Sequence, residues 1–219
     1  MKGPFCINYQ VASAAVESKD IIFVVRFLLM EERNKDSPIT FEVATTDTHF
    51  EQILELQKQN HYTAISETQQ LEEGFVFAAH DMRILKLMAA NAPQIIALSG
   101  DKVVGYNLGM TCEMEQELPS LIPMLQEFRK WTYQGKPLMD YQFIVGGQVC
   151  VHKDFRGREF IRQLYQQTKE VTNGQYQLCV TEISVRNTTS LKAHQKLGFE
   201  ILGVYNDGVE DWNLVVWKY

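Results

Sequence analysis

The sequence predicts a mixed α/β fold, in which a central sheet carries helices on its faces. Short apolar runs of strand length alternate with amphipathic helical patterns from about residue 37 to the end of the chain. Two pairs of runs are joined by turn sequences, Ser99-Gly100-Asp101-Lys102 and Asn206-Asp207-Gly208, which favour antiparallel hairpins. With 45% hydrophobic and 22% charged residues, the 219-residue chain also has the apolar content for a sizeable core.

The N-terminal half is predicted to alternate strands and helices around the first hairpin. Short polar side chains are assigned as caps because they accept hydrogen bonds from the first N–H groups of a helix. The predicted elements, in chain order, are a strand at 37–44, a helix capped by Asp47 or Thr48 and ending near Gln59, a polar break at 60–70, a short strand at 74–79, a helix capped by Asp81 and closed by Pro93, and a hairpin of 95–98 with 103–108.

The C-terminal half is predicted to begin with a helix and to end with a hairpin. Gly146-Gly147 lies inside a strand pattern and predicts a bulge or a close backbone approach. Gly198 is expected to end the last helix. The predicted elements, in chain order, are a helix from Pro119 to about Tyr133, a strand at 143–151, a helix at 159–172, a strand at 178–183, a helix from Asn187 or Thr188 to Leu197, and a hairpin of 199–205 with 212–217.

Charge and cysteine content exclude several classes of protein. A formal net charge of −6 argues against a nucleic-acid partner, which needs a basic face. Neither the cysteines nor the histidines have metal-ligand spacing, so no metal is predicted. We expect free thiols in a reducing compartment. The four cysteines are Cys6, Cys112, Cys150 and Cys179.

Residues 1–36 are predicted to form an N-terminal extension before a single domain at 37–219. The run Ile21–Met30 is too short to span a membrane and contains Arg26, and the segment before it lacks the apolar core of a signal peptide. We therefore expect a cytoplasmic protein without a membrane partner. Met30 is itself a plausible start, which would make residues 1–29 an extension with its own small role.

The segment Val149–Tyr165 carries the clearest functional signal. An apolar run ends at Val151, a basic turn containing Gly157 follows, and a helical pattern then begins around Ile161. A strand that leads into a helix through such a turn presents unpaired N–H groups and the positive end of the helix dipole. This arrangement suits a phosphate or a pyrophosphate.

Two motifs resemble the GNAT superfamily of acetyl-CoA-dependent N-acetyltransferases. The strand, basic turn and helix at 149–165 are similar to that family's Arg/Gln-x-x-Gly-x-Gly/Ala pyrophosphate loop. After one further predicted strand, Asn187-Thr-Thr-Ser-Leu-Lys-Ala-His194-Gln-Lys-Leu-Gly198-Phe199 resembles the family pattern Asn-x-x-Ala-x-x-x-Tyr-x-Lys-x-Gly-Phe. The order of predicted elements also fits that family from about residue 40 to the end of the chain.

The resemblance implies a central mixed, mostly antiparallel sheet of about seven strands flanked by helices. It implies transfer of an acetyl group from acetyl-CoA, as co-substrate, to a primary amine by direct attack on the thioester. In such enzymes a strand backbone pairs with the pantetheine arm and donates an N–H to the oxyanion, while the basic turn holds the pyrophosphate. The implied coenzyme-binding residues are Val149, Cys150, Val151, Phe155, Arg156, Gly157, Arg158, Glu159, Phe160 and Asn187.

The phosphate loop departs from the family pattern at Glu159 and Ile161, which stand where small residues are usual. We expect Glu159 to adopt a first-turn φ near −65°, which any residue tolerates. Its carboxylate suits the helix dipole but competes with a phosphate for the same site. Arg156, Arg158 and Arg162 are expected to offset that charge.

The second motif departs at His194, which stands where the family usually places a tyrosine that protonates the leaving thiolate. A thiol has an ordinary pKa of ~8.5 and a histidine one of ~6.5, so an imidazolium is able to donate this proton near neutrality. His194 is therefore the predicted general acid, with a buried core histidine as the alternative. For Asn187, the alternative to contacting the coenzyme is to act only as a helix cap, and one residue is able to do both.

The sequence does not single out a general base or an acceptor. Glu113, Glu115 and Glu182 are candidates for the base, with solvated or structural roles as the alternative. Three sources of the acceptor amine are left open: a small molecule, a peptide and a protein. An acceptor pocket lined by Trp131, Tyr133 and Tyr141 competes with simple aromatic packing of those rings.

Two other classes of function stay open at this stage. The first is a non-catalytic module that binds CoA or an acyl-CoA as a sensor, because Glu159 and the missing base weaken the case for catalysis. The second is an interaction protein without CoA binding, in which residues 1–29 and the apolar C-terminal strands form a homodimer.

Overall fold

The computed structural model describes residues 37–219, so the predicted extension 1–36 lies outside the described residues. Seven strands form one sheet and two short strands form a separate hairpin. The strands are β1 (Ile39–Val43), β2 (Ile95–Ser99), β3 (Lys102–Met110), β4 (Thr132–Tyr133), β5 (Lys136–Pro137), β6 (Phe143–Val151), β7 (Leu178–Ser184), β8 (Glu200–Asn206) and β9 (Asp211–Lys218).

The sheet order is β1-β2-β3-β6-β7-β9-β8, and β4 pairs with β5 outside it. Every neighbouring pair in the sheet is antiparallel except β6 and β7, which run parallel. The predicted fold, a mixed, mostly antiparallel sheet of about seven strands flanked by helices, is confirmed.

The helices lie on both faces of the sheet, because its central strands are apolar on both faces. In β2, Ile96 and Leu98 pack into the cluster that contains the helices Asp47–Asn60 and Met82–Asn91, whereas Ile95 and Ala97 face the helix Phe160–Thr172. The helices of the described chain are α1 (Asp47–Asn60), α2 (Glu67–Glu73), α3 (Met82–Asn91), α4 (Ile122–Phe128), α5 (Phe160–Thr172) and α6 (Thr188–Leu197). Among these helices none is both long enough and apolar enough to cross a membrane.

Local polar side chains fix where three of these helices begin. The Asp81 carboxylate accepts from the Ile84 N–H at 2.8 Å, and the Asn187 amide oxygen accepts from the Ser190 N–H at 3.2 Å, as the sequence predicts. The first helix is capped by Thr46, one residue before the predicted Asp47.

The segment 74–79 is an apolar run that was predicted to be a short strand, and the structure corrects this prediction. One isolated bridge links Val76 to His61. The neighbouring carbonyls accept instead from side chains of three other elements: Phe75 from Asn187, Phe77 from His61 and Ala78 from Gln148. The backbone is therefore extended but has no partner strand over its length. We call residues 73–80 the crossing segment.

Two further predictions of secondary structure are corrected. The polar stretch 60–70 was predicted to be irregular, but its last residues belong to the short helix α2. Ser66 and Gln69 form a capping box at the start of this helix, with each side chain accepting from the other residue's backbone N–H. The helix predicted from Pro119 to about Tyr133 is shorter: a 3₁₀ turn at Pro119–Leu121 leads into α4, and β4 follows at Thr132.

The parallel strands β6 and β7 separate after a short contact. Residues Phe143, Ile144 and Val145 pair with Leu178, Cys179 and Val180, and no later pair is formed although β6 continues to Val151 and β7 to Ser184. The predicted irregularity at the paired glycines is present, because the β3–β6 register shifts between Gln148 and Gly146. The two strands thus open a wedge-shaped gap, with one backbone edge of β6 facing it.

Candidate functional site

A first cavity of about 460 Å³ lies where β6 leads into α5. Its walls are the end of β6, the turn before α5, one side of α6 and the start of the crossing segment. Such a volume is in the usual range of ligand sites. The lining residues are Asn60, Glu73–Val76, Val149–Val151, Arg156, Gly157, Glu159–Arg162, Thr189, Ser190, Ala193, Lys196 and Leu197.

The turn between β6 and α5 exposes backbone N–H groups to this cavity. Gly157 and Glu159 both adopt left-handed conformations, with φ of 76° and 59°. Glu159 is the N-cap of α5, and no side chain makes a capping hydrogen bond there. The first N–H groups of this 13-residue helix are thus left for an outside acceptor at the positive end of its dipole. The uncapped start of α5 therefore lies at the position where the sequence predicts an anion site.

Glu159 does not have the φ near −65° that the sequence argument assumes. A left-handed conformation costs a non-glycine residue on the order of 1 kcal/mol. Its side chain is 73% exposed and lies 3.9 Å from Arg162, so the carboxylate points toward solvent rather than into the N–H groups. The family preference for a small residue at this position has a physical reason in this backbone conformation.

Arg156 is held by the protein itself. Its guanidinium donates to the Val151 carbonyl at 3.0 Å, to the Glu73 carboxylate at 2.5 Å and to the Asn60 amide oxygen at 2.6 Å. These bonds fasten the start of the crossing segment to the turn before α5. Two further cations line this cavity, Arg162 and Lys196. The Arg162 guanidinium donates to the Lys196 carbonyl at 3.0 Å.

The backbone of Val149 and Val151 faces the gap between β6 and β7. The His152 N–H donates to the Val104 carbonyl of β3 at 2.8 Å. Because successive residues of a strand point their amides to opposite edges, Val149 and Val151 present theirs away from β3. Cys150 lines the same cavity but points its amide toward β3, and burial raises the pKa of its thiol to about 12.

The other predicted coenzyme residues divide between core and surface. Phe155 and Phe160 are buried and pack at 5.9 Å between ring centres; of the two, only Phe160 lines the cavity. Arg158 is exposed, and its guanidinium lies 5.6 Å from the centre of the Phe155 ring. Asn187 is buried, and its side-chain amide donates to the Phe75 carbonyl at 2.8 Å, so its amide group already holds the crossing segment.

A second cavity, also of about 460 Å³, lies on the other side of the crossing segment. The two cavities share Phe75, Val76, Val149 and Ser190, so they meet at the gap between β6 and β7. The lining residues of the second cavity are Phe75–His80, Ile84, Met110, Leu118, Leu121, Met124, Val145–Val149, Tyr165, Thr181–Ser184, Asn187, Ser190, His194, Asp207, Val209 and Trp212.

His194 is buried and makes two hydrogen bonds within the protein. Its Nδ1 lies 2.8 Å from the Ser190 carbonyl and therefore carries the proton, while Nε2 accepts from the Tyr165 hydroxyl at 2.9 Å. Burial lowers the pKa of His194 to about 4, against a small opposing effect of the Ser190 carbonyl. The imidazole is thus neutral at pH 7, and the imidazolium that the sequence argument assumed is disfavoured.

Tyr165 lines the second cavity, but the sequence did not identify it as a functional residue. A Cβ added at Gly146 would lie 3.4 Å from its hydroxyl oxygen, which places that hydroxyl where β6 and β7 diverge. The signal available in the sequence was only its place on the buried face of α5, beside Leu164. A contact with Gly146 depends on how the sheet divides, which no local pattern reveals.

Glu182 is the only one of the three candidate bases that lines either cavity. Burial raises the pKa of its carboxyl to about 7, a hydrogen bond from the Tyr205 hydroxyl opposes this shift, and the nearby Asp207 adds to it. Such a carboxyl exchanges protons near neutrality, as a general base requires. Glu115 instead pairs with Arg129 at 2.8 Å, and Glu113 is exposed.

The three aromatic residues considered for an acceptor pocket lie away from both cavities. Tyr133 and Tyr141 pack at 5.9 Å between ring centres, and the Tyr133 hydroxyl donates to Glu200. Trp131 lies against β8, where a Cβ at Gly203 would come within 2.0 Å of its ring. Packing is therefore their role. In the described chain no group of three or more His, Cys, Asp or Glu residues is arranged to hold a metal ion.

Solved structures with a similar fold include several acetyltransferases. Arabidopsis thaliana NAA60 in complex with acetyl-CoA matches 83% of this chain and all of its own, with a TM-score of 0.57 and 11% sequence identity. The Escherichia coli ribosomal-protein-S18-alanine N-acetyltransferase matches 83% of this chain and 94% of its own, with a TM-score of 0.52 and 11% identity. A GNAT-family acetyltransferase from Streptococcus pneumoniae matches 83% and 99%, with a TM-score of 0.51 and 14% identity.

No protein-family model matches the chain, and no curated protein sequence matches it either. At such low identities the structural likeness establishes the fold and no more. The described domain has the fold of the GNAT acetyltransferases, which confirms the resemblance inferred from its two motifs.

Proposed function

We propose that this protein transfers an acetyl group from acetyl-CoA to a primary amine. The observation that carries the proposal is that two cavities of opposite charge meet at the gap between β6 and β7. The first has three cations, two carboxylates (Glu73 and Glu159) and an uncapped helix N-terminus. The second has carboxylates and, among the described residues that line it, no lysine or arginine. Acetyl-CoA, when bound, supplies an activated acetyl group, whose transfer breaks the C–S bond of the thioester and forms a C–N bond.

The first cavity fits the diphosphate of the coenzyme. The first N–H groups of α5 and the turn at Gly157 offer donors to the phosphate oxygens, as helix N-termini do for anions. Arg162 and Lys196 add positive charge at the same mouth. Arg156 contributes indirectly, because its hydrogen bonds to Glu73 and Asn60 hold the wall of the cavity in place.

The edge of β6 fits the amide groups of the pantetheine arm. The Val149 and Val151 amides face the gap and have no strand partner on that edge, so they are able to pair with an added extended chain. An N–H on this edge would also donate to the carbonyl oxygen of the acetyl group, which becomes negative during the attack. The Cys150 N–H points toward β3, so Cys150 lines the cavity but does not donate this hydrogen bond.

Glu182 takes the proton that the attacking amine must lose. A primary ammonium has an ordinary pKa of ~10.4 and is not nucleophilic until it is deprotonated. With a pKa of about 7, Glu182 is largely ionised just above neutrality and accepts this proton at the second cavity. Tyr205 donates a hydrogen bond to the carboxylate and fixes its orientation.

The Tyr165 hydroxyl is placed to stabilise the leaving sulfur. Burial raises its pKa above the ordinary value, so the hydroxyl keeps its proton. This single proton, donated to His194 Nε2 in the free protein, would turn to the thiolate as the C–S bond breaks. His194, neutral and held by the Ser190 carbonyl, accepts from this hydroxyl while no thiolate is present and so keeps it at the gap. The proposed role of His194 is thus to position Tyr165, and not to act as the general acid that the sequence predicted.

A cytoplasmic location and a domain limit at residue 37 belong to the same proposal. Three cysteines of the described chain, Cys112, Cys150 and Cys179, are free thiols, as expected in a reducing compartment. The homodimer remains a prediction, because one of the surfaces that it involves lies in residues 1–36.

The proposal is tested by measuring binding and turnover on the same protein sample. Acetyl-CoA at about 100 times its dissociation constant should stabilise the fold by about 2.7 kcal/mol, seen as an upward shift in thermal unfolding. Thiol release with a broad panel of amines should then show transfer, with the acetylated product identified by mass. A shift without thiol release would favour the sensor. No shift at all would contradict the proposal and favour the interaction protein.

A further inference from the structure

The second cavity has one wall that is almost entirely apolar. Its residues come from α3, from the end of β3 and from the 3₁₀ turn and helix α4 that follow, all on the β3 side of β6. Three of them are less than a tenth exposed, so this wall is a built part of the core rather than loose surface. The residues are Ile84, Met110, Leu118, Leu121 and Met124.

The opposite wall, on the β7 side of β6, carries the negative charge. Glu182 lies on β7, and Asp207 lies in the turn between β8 and β9. Burial alone would raise the pKa of Asp207, but hydrogen bonds from the Glu210 and Val209 N–H groups and from Trp212 outweigh it and lower this pKa. Asp207 therefore stays ionised at neutral pH.

No positive side chain opposes these carboxylates inside the cavity. Among the described residues that line it there is no lysine or arginine. Arg186, close by, is paired with Glu210 at 2.6 Å. His80 is neutral, since burial lowers its pKa to about 4 more strongly than Asp81 raises it, and its Nδ1 accepts from Gln57. A cation that enters the cavity is therefore attracted to one wall only.

Aromatic rings close the acidic side of the cavity. Phe77 of the crossing segment meets Trp212 edge to face, with 5.0 Å between ring centres. The indole N–H of Trp212 donates to Asp207 at 2.9 Å, which holds the ring against the carboxylate. Aromatic faces next to carboxylates favour an organic ammonium over a small hydrated cation.

We propose that the acceptor is a primary amine carried on an apolar body, such as an alkyl or arylalkyl amine or a peptide whose first residue is apolar. The inference rests on the proposed function and names its substrate class. The ammonium lies against the Glu182 and Asp207 wall, and the apolar body lies against the opposite wall. A second charge at the far end of the acceptor would meet Met110, Leu121 and Met124 without a partner, which is unfavourable.

Hexylamine and hexane-1,6-diamine make a matched pair for the test, because they differ only in the charge at the far end. We expect kcat/KM for hexylamine to exceed that for the diamine by at least about tenfold. A tetrapeptide with N-terminal leucine should likewise exceed the same peptide with N-terminal aspartate. The better of hexylamine and the leucine peptide identifies the source of the amine. Equal or faster use of the diamine would overturn the inference.

A substitution in the apolar wall should change this preference in a defined direction. Leu121 is partly exposed, so Leu121→Asp is compatible with folding and gives the diamine a partner for its second charge. We expect the ratio of hexylamine to diamine turnover to fall by at least about tenfold. Leu71→Asp is the matched control, since Leu71 is 61% exposed and lines neither cavity. An unchanged ratio in Leu121→Asp would contradict the apolar wall as the determinant.

Equilibrium binding separates this inference from the proposed function. Ligand-observed NMR measures binding of hexylamine and the diamine to the protein without any turnover. If no amine is acetylated but hexylamine binds at least about tenfold more tightly, the proposed function fails and the preference of the cavity stands. If amines are acetylated but the diamine binds and reacts as well as hexylamine, the function stands and the inference fails.

Discussion

The two cavities are equal in volume and opposite in charge. The first is built around a turn with left-handed residues and an uncapped helix, and its lining has Arg156, Arg162 and Lys196 against Glu73 and Glu159, an excess of one positive charge. The second is built from side chains of the sheet interior, with Glu182 and Asp207 and no cation among the described lining residues. The first thus suits an anionic carrier and the second a cationic acceptor, and they meet where β6 and β7 diverge. Under the proposed function, binding of acetyl-CoA would rely mainly on backbone N–H groups, whereas the transfer step would rely on side chains.

The largest expected effect comes from removing the carboxylate of the second cavity. Glu182→Gln keeps the shape of the side chain but cannot accept a proton, so we expect kcat/KM to fall by about 100-fold or more, the usual contribution of a general base. Binding of acetyl-CoA, measured by titration calorimetry, should stay unchanged. A loss of acetyl-CoA binding would show that the two cavities are not functionally separate.

The same group sets the expected pH dependence. Since burial raises the pKa of Glu182 to about 7, the ionised and active form grows as pH rises through 7. The wild-type kcat/KM should therefore rise between pH 6 and 8 with a break near 7, and Glu182→Gln should lack that break. If the break in kcat/KM near pH 7 persists in the variant, Glu182 is not the general base.

The next effect concerns the backbone of the first cavity. Gly157 has φ 76° and faces open space, so Gly157→Asp strains the turn and places a negative charge at the phosphate site. We expect acetyl-CoA to bind about 30-fold more weakly, the loss of one charge-assisted contact or more. Gly174→Asp is the matched control, since Gly174 also has φ 76° and open space but lies outside both cavities. Equal loss in both variants would mean that strain, not the site, is responsible.

How much of this site the sequence predicts depends on how local each contact is. The caps at Asp81 and Asn187, both hairpins and the turn that leads from β6 into α5 depend on neighbouring residues, and all were predictable. The bonds of Arg156 reach residues 83 and 96 positions earlier, so its role as a clamp was invisible. The crossing segment was predicted to be a strand because its residues 75–79 form a short apolar run, although its carbonyls accept from distant side chains.

The catalytic assignments show the same limit. His194 was found because it lies in a motif, but its burial and its two hydrogen bonds, which decide its protonation, come from α5 and from its own helix turn. Glu182 stood among three equal candidates, since exposure separates them and sequence does not give exposure. The αL conformation of Glu159 had no local signal other than the family preference for a small residue.

A smaller effect is expected for His194, which acts through Tyr165. His194→Phe removes the acceptor that orients the Tyr165 hydroxyl and keeps an aromatic ring in the buried site. We expect kcat to fall about tenfold with little change in acetyl-CoA affinity, and thermal unfolding serves to confirm that the fold is intact. Unchanged turnover would leave His194 as a core residue, the alternative that the sequence also allowed.

The smallest effect concerns Glu159. Glu159→Gly relieves the left-handed strain, which should raise the free energy of unfolding by about 1 kcal/mol, and removes a negative charge from the first cavity. Acetyl-CoA should bind a few-fold more tightly. Asn173→Gly is the matched control: Asn173 is left-handed at the other end of α5, so stability should rise without a change in affinity. A weaker affinity in Glu159→Gly would show that the carboxylate assists binding.

The central claim is that the diphosphate of the coenzyme binds at the turn between β6 and α5. A crystal of the protein soaked with CoA tests it most directly. We expect the diphosphate against the N–H groups at 157–161 and the thiol in the gap beside Gly146. Density for the coenzyme elsewhere, or a turn without coenzyme in which the Glu159 carboxylate occupies the site, would show that this turn is not the diphosphate site.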